Sequence, residues 1–371
     1  MKKETILKIV LAFSILLPFI SVQSVWPQNT EYQNRPIELG TSGGDINDIS
    51  SLYCCSGTLG ALVQGRNGVQ YILSNNHVLA RINKGRKRED IVQPGLVDWN
   101  CVNDVNNAVA DLSRYVRIKF KIGLNVVDAA IARVRTDMIN SSGSILGIGE
   151  ISSSVQGLPF IGMAVKKSGR TTGLTTGTVL ATNVTIIVTY GKTCGIGSQI
   201  AIFKEQIRIS PAGFSAPGDS GSLIVEDCSP NPRAVGLLFS GSDTDTFANP
   251  ITNVLSSLRV SMVGTGTYCT TSTTSGGITG SPAMTAESQS SPHGNTRAVE
   301  AVTRVKERHE EAILKLEGVV GIGVGVSETV PEEVVIEVYV KKPAQEMKHV
   351  ISEMLEDVPV KIVETGEIVA F

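Results

Sequence analysis

The sequence has few histidines, few aromatic residues and no surplus of charge. Only four histidines stand among 371 residues, aromatic side chains make up 5%, and 33 Lys and Arg face 35 Asp and Glu. A formal charge of −2 gives no broad positive field for a phosphate backbone, so no nucleic-acid partner is expected. No CxxC spacing with partnered histidines occurs, which argues against zinc, and no metal or other cofactor is expected. Beyond the N-terminus, no apolar run approaches the ~20 residues of a membrane-spanning helix. With 42% hydrophobic residues the chain is nevertheless rich enough to bury a core, and 37 glycines point to many tight turns.

The N-terminus reads as a targeting segment. Lys2 and Lys3 precede an almost wholly apolar stretch, Ile6 to Val22, and Val22-Gln23-Ser24 offers small residues for cleavage. Residues 1–24 are therefore assigned to a secretory signal, which implies a secreted, periplasmic or extracellular protein. Uncleaved, the same segment would anchor the chain to a membrane. Export permits disulfides among Cys54, Cys55, Cys101, Cys194, Cys228 and Cys269, and the adjacent Cys54 and Cys55 are expected to reach different partners.

Residues 25–50 form a polar lead-in. From 51 to 263 the pattern is of short strands with glycine-rich turns, such as Thr58 to Val63 and Tyr71 to Leu73 around Gly65-Arg66-Asn67-Gly68. Asn249 and Pro250 open one helix, with Ile251, Val254, Leu255 and Leu258 on one face. Residues 264–295 are rich in Ser, Thr and Gly and read as a linker. Residues 296–371 read as a small α+β unit of order α-β-β-α-β. Its first helix carries Val302, Val305, His309, Ala312 and Leu316, and a second, opened by Pro343, carries Met347 to Leu355. After Thr296, nine Lys and Arg meet fifteen Asp and Glu, so this unit is acidic. Gly321, Gly323 and Gly325 alternate with apolar residues and fit a strand with one bare face better than a phosphate loop.

Chemistry is suggested by Ala216-Pro217-Gly218-Asp219-Ser220-Gly221-Ser222, a tight turn that runs into the apolar strand Leu223-Ile224-Val225. A serine hydroxyl becomes a useful nucleophile only when a base takes its proton and a third group orients that base. His77 is the sole histidine in the β-rich region, at the end of an apolar strand. For the third group, Asp128 is embedded in Val126-Val127-Asp128-Ala129-Ala130-Ile131, where an isolated charge would be costly. Asp111 is the rival, with a polar flank, while Asp98 and Asp104 read as loop residues.

The segments NNHVLA, VDAAIA and GDSGSLIV, in that order, resemble those of the trypsin/chymotrypsin-type serine peptidases. The wording of GTLGAL, LSNNHVLA, GRTTGLTTG and LLFSGSDTDTFANP is similar to a bacterial and plant subgroup that includes the plant narrow-leaf type proteins. The resemblance implies an all-β fold, a double six-stranded β-barrel with its site in the cleft between barrels. It also implies peptide-bond hydrolysis by Ser220, His77 and Asp128, an oxyanion hole from the backbone N–H groups of Gly218 and Ser220, and a protein or peptide substrate. Phe214 and Ser240 fall to the specificity pocket. Phe214 stands six residues before Ser220, where a trypsin-like preference for Lys or Arg would need an acid. No activation sequence of the digestive enzymes is present, so Asp219 needs another partner, and no cysteine closely follows His77. The alternative is a catalytically silent scaffold that binds peptides in its cleft. The acidic C-terminal unit could then serve as prodomain, inhibitor or binding module by docking within the chain.

Overall fold

The computed structural model describes residues 29–191, 197–269, 296–330 and 332–371. The expected signal at 1–24, Cys194, and residues 270–295 of the expected linker lie outside the described residues.

The first barrel contains β1 (Thr41–Asp45), β2 (Gly57–Leu59), β3 (Ala61–Gln64), β4 (Gln70–Ser74), the helical turn α1 (Asn76–Leu79), β5 (Asp90–Val92) and β6 (Ala108–Tyr115). A short β7 (Leu124–Asn125) leans on the second barrel, and β8 (Ala130–Val134) returns to the first. β2 and β3 follow one another through Gly60 and act as one bent strand. β2 pairs with β1 and β3 with β4, which closes the ring through β8, β6 and β5. Its filling is aliphatic and fully enclosed, with Leu59, Leu62, Ile72, Leu73, Ile91 and Ile131 at its centre.

The second barrel contains β9 (Ala164–Gly169), β10 (Gly173–Tyr190), β11 (Gln199–Ser210), β12 (Leu223–Glu226), β13 (Ala234–Gly241) and β14 (Thr246–Pro250). Antiparallel pairing runs β10-β9-β12-β13-β14-β11 and returns to β10. Helix α2 (Ile251–Leu258) then carries the chain back to β15 (Ser261–Met262), which pairs with β3 of the first barrel. The fold is thus all-β, a double six-stranded barrel of the chymotrypsin kind.

The C-terminal region is a small α+β unit made of α3 (Thr296–Leu314), β16 (Val319–Val326), β17 (Val334–Val340), α4 (Ala344–Met347), β18 (Met354–Leu355), β19 (Val358–Glu364) and β20 (Val369–Ala370). It has its own core, built from Val302, Val305 and Ile313 of α3 against Ile322, Val324, Ile336 and Val338. It also extends the second barrel, because β16 pairs with β10 over Ala181↔Gly325 to Ile186↔Gly321. The bare faces at Gly323 and Gly325 make room for Tyr339 and Glu337, since a Cβ at these positions would stand 2.5 Å from the Tyr339 hydroxyl and 2.6 Å from the Glu337 carboxylate. Glu337 in turn meets Arg208 of β11 at 2.9 Å, both buried.

Three details differ from the sequence reading. The 25–50 stretch is more than a lead-in: it supplies β1, and Ile37 and Leu39 enter the first core. Thr41-Ser42-Gly43-Gly44-Asp45 lacks apolar alternation because Leu59 covers Gly43, where a Cβ would lie 2.4 Å from the Leu59 side chain. Residues 264–269 belong to the packed structure rather than to a linker, with Thr265 bridged to Ser152 and Cys269 bonded to Cys228. The helix opened by Pro343 ends at Met347, and Met354–Leu355 turn back on β19 through Glu356 and Asp357, both at positive φ. Two left-handed residues make a tight hairpin, which Glu-Asp does not advertise as Asn-Gly would.

Cys54 pairs with Cys101, Cys228 with Cys269, and Cys55 is also disulfide-bonded. Among the described residues no helix is long and apolar enough to cross a membrane.

Candidate active site

His77 lies on α1, immediately after β4 of the first barrel. Asp128 stands two residues before β8 and is fully buried. The structure brings the two together: His77 Nδ1 is 2.6 Å from Asp128 Oδ2. Three other groups satisfy the same carboxylate. The backbone N–H of Asn76 donates to Oδ1 at 2.7 Å, that of His77 at 3.3 Å, and the Tyr190 hydroxyl donates to Oδ2 at 2.8 Å. The start of α1 thus presents its free N–H groups to a buried anion, which requires such donors. Asn249 holds the other side. Instead of capping α2 as expected, its side-chain oxygen accepts from the Asp128 backbone N–H at 2.9 Å, and its amide donates to Gln206 at 2.5 Å.

The rival carboxylates face elsewhere. Asp111 pairs with Arg135 at 2.7 Å, Asp98 with Arg170 at 2.6 Å, and Asp104 caps a short helical turn through Asn106 N–H at 2.9 Å.

Burial disfavours a charged His77 ring. The neighbouring Asp128 carboxylate outweighs it, so the imidazole is held above its ordinary range, with help from Phe371 and Asp48. Tyr190 is pushed far the other way from ionisation: burial first, and then the Asp128 charge, raise its phenol well above normal, so it remains a donor. Asp48, close to His77, is raised to about 6, chiefly by burial.

Ser220 comes from the second barrel, on the turn before β12, and is fully buried. Two contacts press this turn against β2. Thr58 N–H donates to Ser220 O at 2.8 Å and Thr58 Oγ1 to Gly218 O at 3.0 Å. Gly218 has φ +101°, and a Cβ there would be 2.4 Å from Thr171 Oγ1. Gly221 has φ +94°, and a Cβ there would be 2.2 Å from Thr58 O. Only glycine fits either place. The N–H groups of Gly218 and Ser220 are not engaged in hydrogen bonds within the turn, whereas Asp219 N–H is bonded to Ala216 O. The Asp219 carboxylate points inward and collects Thr171 N–H, Thr172 N–H, Thr172 Oγ1 and Ala216 N–H, with the Lys167 ammonium beside it.

Ser220 Oγ donates to Phe239 O at 3.1 Å and, among the described residues, makes no hydrogen bond to His77. His77 Nε2 is occupied by the carbonyl oxygen of Phe371 at 2.9 Å. With oxygen acceptors on both ring nitrogens, the arrangement suits the doubly protonated imidazolium. Of the two residues assigned to the specificity pocket, Phe214 is buried in the second-barrel core and Ser240 lies on β13, its buried hydroxyl without a partner among the described residues. An open cavity of about 210 Å³ lies beside His77, lined by Asp48, Cys54, Cys55, Gly218 and Phe371.

The sequence reading missed Tyr190, Asn249, Lys167 and Phe371. The first three reside in strands or at their ends, where a polar side chain is equally compatible with the outer face. A buried Lys167 has no signal in Lys166-Lys167, which reads as an ordinary exposed pair.

A family model described as the Nal1 C-terminal domain matches residues 117–248, a span that includes Asp128 and Ser220 but not His77. No curated protein matches the chain. Among solved structures, a glutamic-acid-specific serine protease is similar over 61% of this chain and 100% of its own, at 20% identity and TM-score 0.42. Protease A of Thermobifida fusca is similar over 62% and 98%, at 17% identity and TM-score 0.41. Nocardiopsis protease is similar over 61% and 98%, at 19% identity and TM-score 0.41.

Proposed function

We propose that this chain is an exported serine endopeptidase. The supporting observation is that His77 is fixed by the buried Asp128 at 2.6 Å, while a glycine-bounded turn carries Ser220 with two backbone N–H groups that make no hydrogen bond among the described residues. In this reading Ser220 Oγ attacks the scissile carbonyl carbon and its proton passes to His77 Nε2. The Gly218 and Ser220 N–H groups hold the resulting oxyanion. The C–N bond then breaks as His77 returns the proton to the leaving amine. Water, deprotonated by the same imidazole, hydrolyses the acyl-enzyme and restores the serine. Asp128 keeps the ring in the right tautomer and stabilises the imidazolium. The disulfides suit an oxidising compartment.

A fluorophosphonate probe tests this. Labelling of the full chain that disappears in Ser220→Ala supports the peptidase. No labelling of a folded chain, even after the tail is displaced as described below, supports a silent scaffold instead.

A further inference from the structure

The last residues of the sequence cross the candidate cleft as an added strand. β20 pairs antiparallel with β13, Ala370 opposite Ser240 and Val369 opposite Gly241. On its other side Val369 pairs in parallel with Thr189 of β10, whose N–H donates to Ile368 O at 2.9 Å. The Phe371 N–H approaches Phe239 O at 3.4 Å, the same carbonyl that accepts from Ser220 Oγ. The Phe371 carbonyl oxygen sits on His77 Nε2 at 2.9 Å.

The Phe371 side chain is equally well placed. It packs on the second-barrel cluster that contains Phe214, Val235 and Leu238. Its ring fills the space that Gly241 leaves, where a Cβ would fall 2.4 Å from the ring. Ala370 is 9% exposed and stands opposite Ser240, whose hydroxyl has no partner among the described residues. Here a backbone lies along a strand edge, a carbonyl lies at the imidazole and an aromatic ring enters an apolar recess. The strand pairing and the seated ring are how the residues before a scissile bond are held, while the Phe371 oxygen, on His77 Nε2 rather than on the Gly218 and Ser220 N–H groups, blocks the base.

We infer that residues 368–371 occupy the acyl-side subsites of this cleft, and that the cleft therefore selects peptides with a large aromatic residue just before the scissile bond and a small residue before that. The inference rests on the peptidase reading for the word scissile, but the binding preference stands without it. Gly241 is the specificity-determining residue, because any side chain there takes the place of the ring. The chain's own tail competes with such substrates.

The test uses the full-length chain carrying Val369→Pro and Phe371→Gly, which removes a strand N–H and the ring so that the tail leaves the cleft. Labelled peptides Ile-Val-Ala-X, with X as Phe, Ala, Lys or Glu, are titrated against it by fluorescence anisotropy. The Phe peptide is expected to bind at least about tenfold tighter than the Lys or Glu peptides, the order of effect of burying one aromatic side chain. Adding Gly241→Val is expected to remove that advantage and favour Ala. The tail-released chain should also react with the fluorophosphonate about tenfold faster than the natural chain. A flat profile, a preference for Lys or Glu, or a Gly241→Val variant that still prefers Phe overturns the inference. If the Phe preference holds while Ser220 is never labelled, the subsite assignment stands and the peptidase reading fails.

Discussion

Lys167 Nζ lies 3.4 Å from Asp219 Oδ2, with both side chains fully buried. The ammonium also donates to Gly173 O at 2.9 Å and to Thr172 Oγ1. Burial lowers the Lys167 pKa, against the pull of Asp219. Asp219 is the residue before Ser220, so an internal cation anchors the turn that shapes the site. Lys167→Met should leave a buried carboxylate without its counter-charge and cost about 3 kcal/mol. Urea unfolding reads the loss, and Lys167→Met with Asp219→Asn should recover part of it. If the single variant unfolds at the same urea concentration as the natural chain, the pair does not hold the turn.

Asp128→Asn should leave the barrels intact but let the His77 ring take the wrong tautomer, with a drop of about 10⁴ in peptide hydrolysis by the tail-released chain. Tyr190→Phe removes one of four donors to the same carboxylate and should cost only about 1 kcal/mol of stability. The two variants, compared by hydrolysis rate and by thermal melting, separate orientation of the ring from simple satisfaction of a buried anion.

Gly218→Ala puts a methyl group where Thr171 Oγ1 already lies, at a backbone angle that alanine resists. The turn must shift and carry one oxyanion donor with it. Hydrolysis should fall by about 10² to 10³ while the chain stays folded. An unchanged rate would show that the Gly218 N–H is not one of the donors.

The His77 pKa is raised in the folded chain, foremost against burial and by Asp128, then by the Phe371 carbonyl and Asp48. A raised histidine contributes stability that is complete below its unfolded pKa and disappears as pH climbs through the folded value. Asp48, itself raised to about 6, has already lost its proton below that interval and there favours the imidazolium. Tail docking should accordingly weaken as the pH rises above the folded His77 value, because a neutral ring cannot donate from both nitrogens. NMR titration of the His77 ring, with and without Phe371→Gly, checks this. The variant should titrate at lower pH, and equal midpoints would contradict it.

Arg208 joins Asp245 of the barrel at 2.7 Å and Glu337 of the C-terminal unit at 2.9 Å, all three buried. Arg208→Met should strand both carboxylates and cost about 3–5 kcal/mol near neutral pH. The deficit should shrink in acid, where either orphan can take a proton. Unfolding at two pH values measures it, and a deficit independent of pH would mean that the carboxylates find other partners.

Much of this arrangement was readable in the sequence because its chemistry is sparse. One histidine in the β-rich region and one aspartate inside an apolar strand narrow the choice, and the structure puts His77 against Asp128 and turns Asp111 toward Arg135. The strand-rich pattern carried an all-β fold, and the two barrels came from the resemblance of the three motif segments. What escaped was whatever depends on which face of a strand looks inward. Tyr190 ends a long strand flanked by both the second barrel and the C-terminal unit, and Lys167 hides in a pair that looks solvated. β1 is buried by a neighbour's leucine rather than by its own residues. The tail was illegible for another reason: His77 and Phe371 are separated by 294 positions, and four small or apolar residues say nothing of where they rest.

The pairing of β16 with β10 fixes what kind of opening is possible. The C-terminal unit shares a continuous sheet with the second barrel and is riveted to it by Arg208 and Glu337. It cannot swing aside as a hinged flap without tearing hydrogen bonds along the seam. Access to His77 then depends on residues 368–371 leaving their places on β13 and β10. A gate of that size answers to local concentration: a short segment tethered at fixed distance yields when enough competing peptide arrives, and closes again when it is consumed.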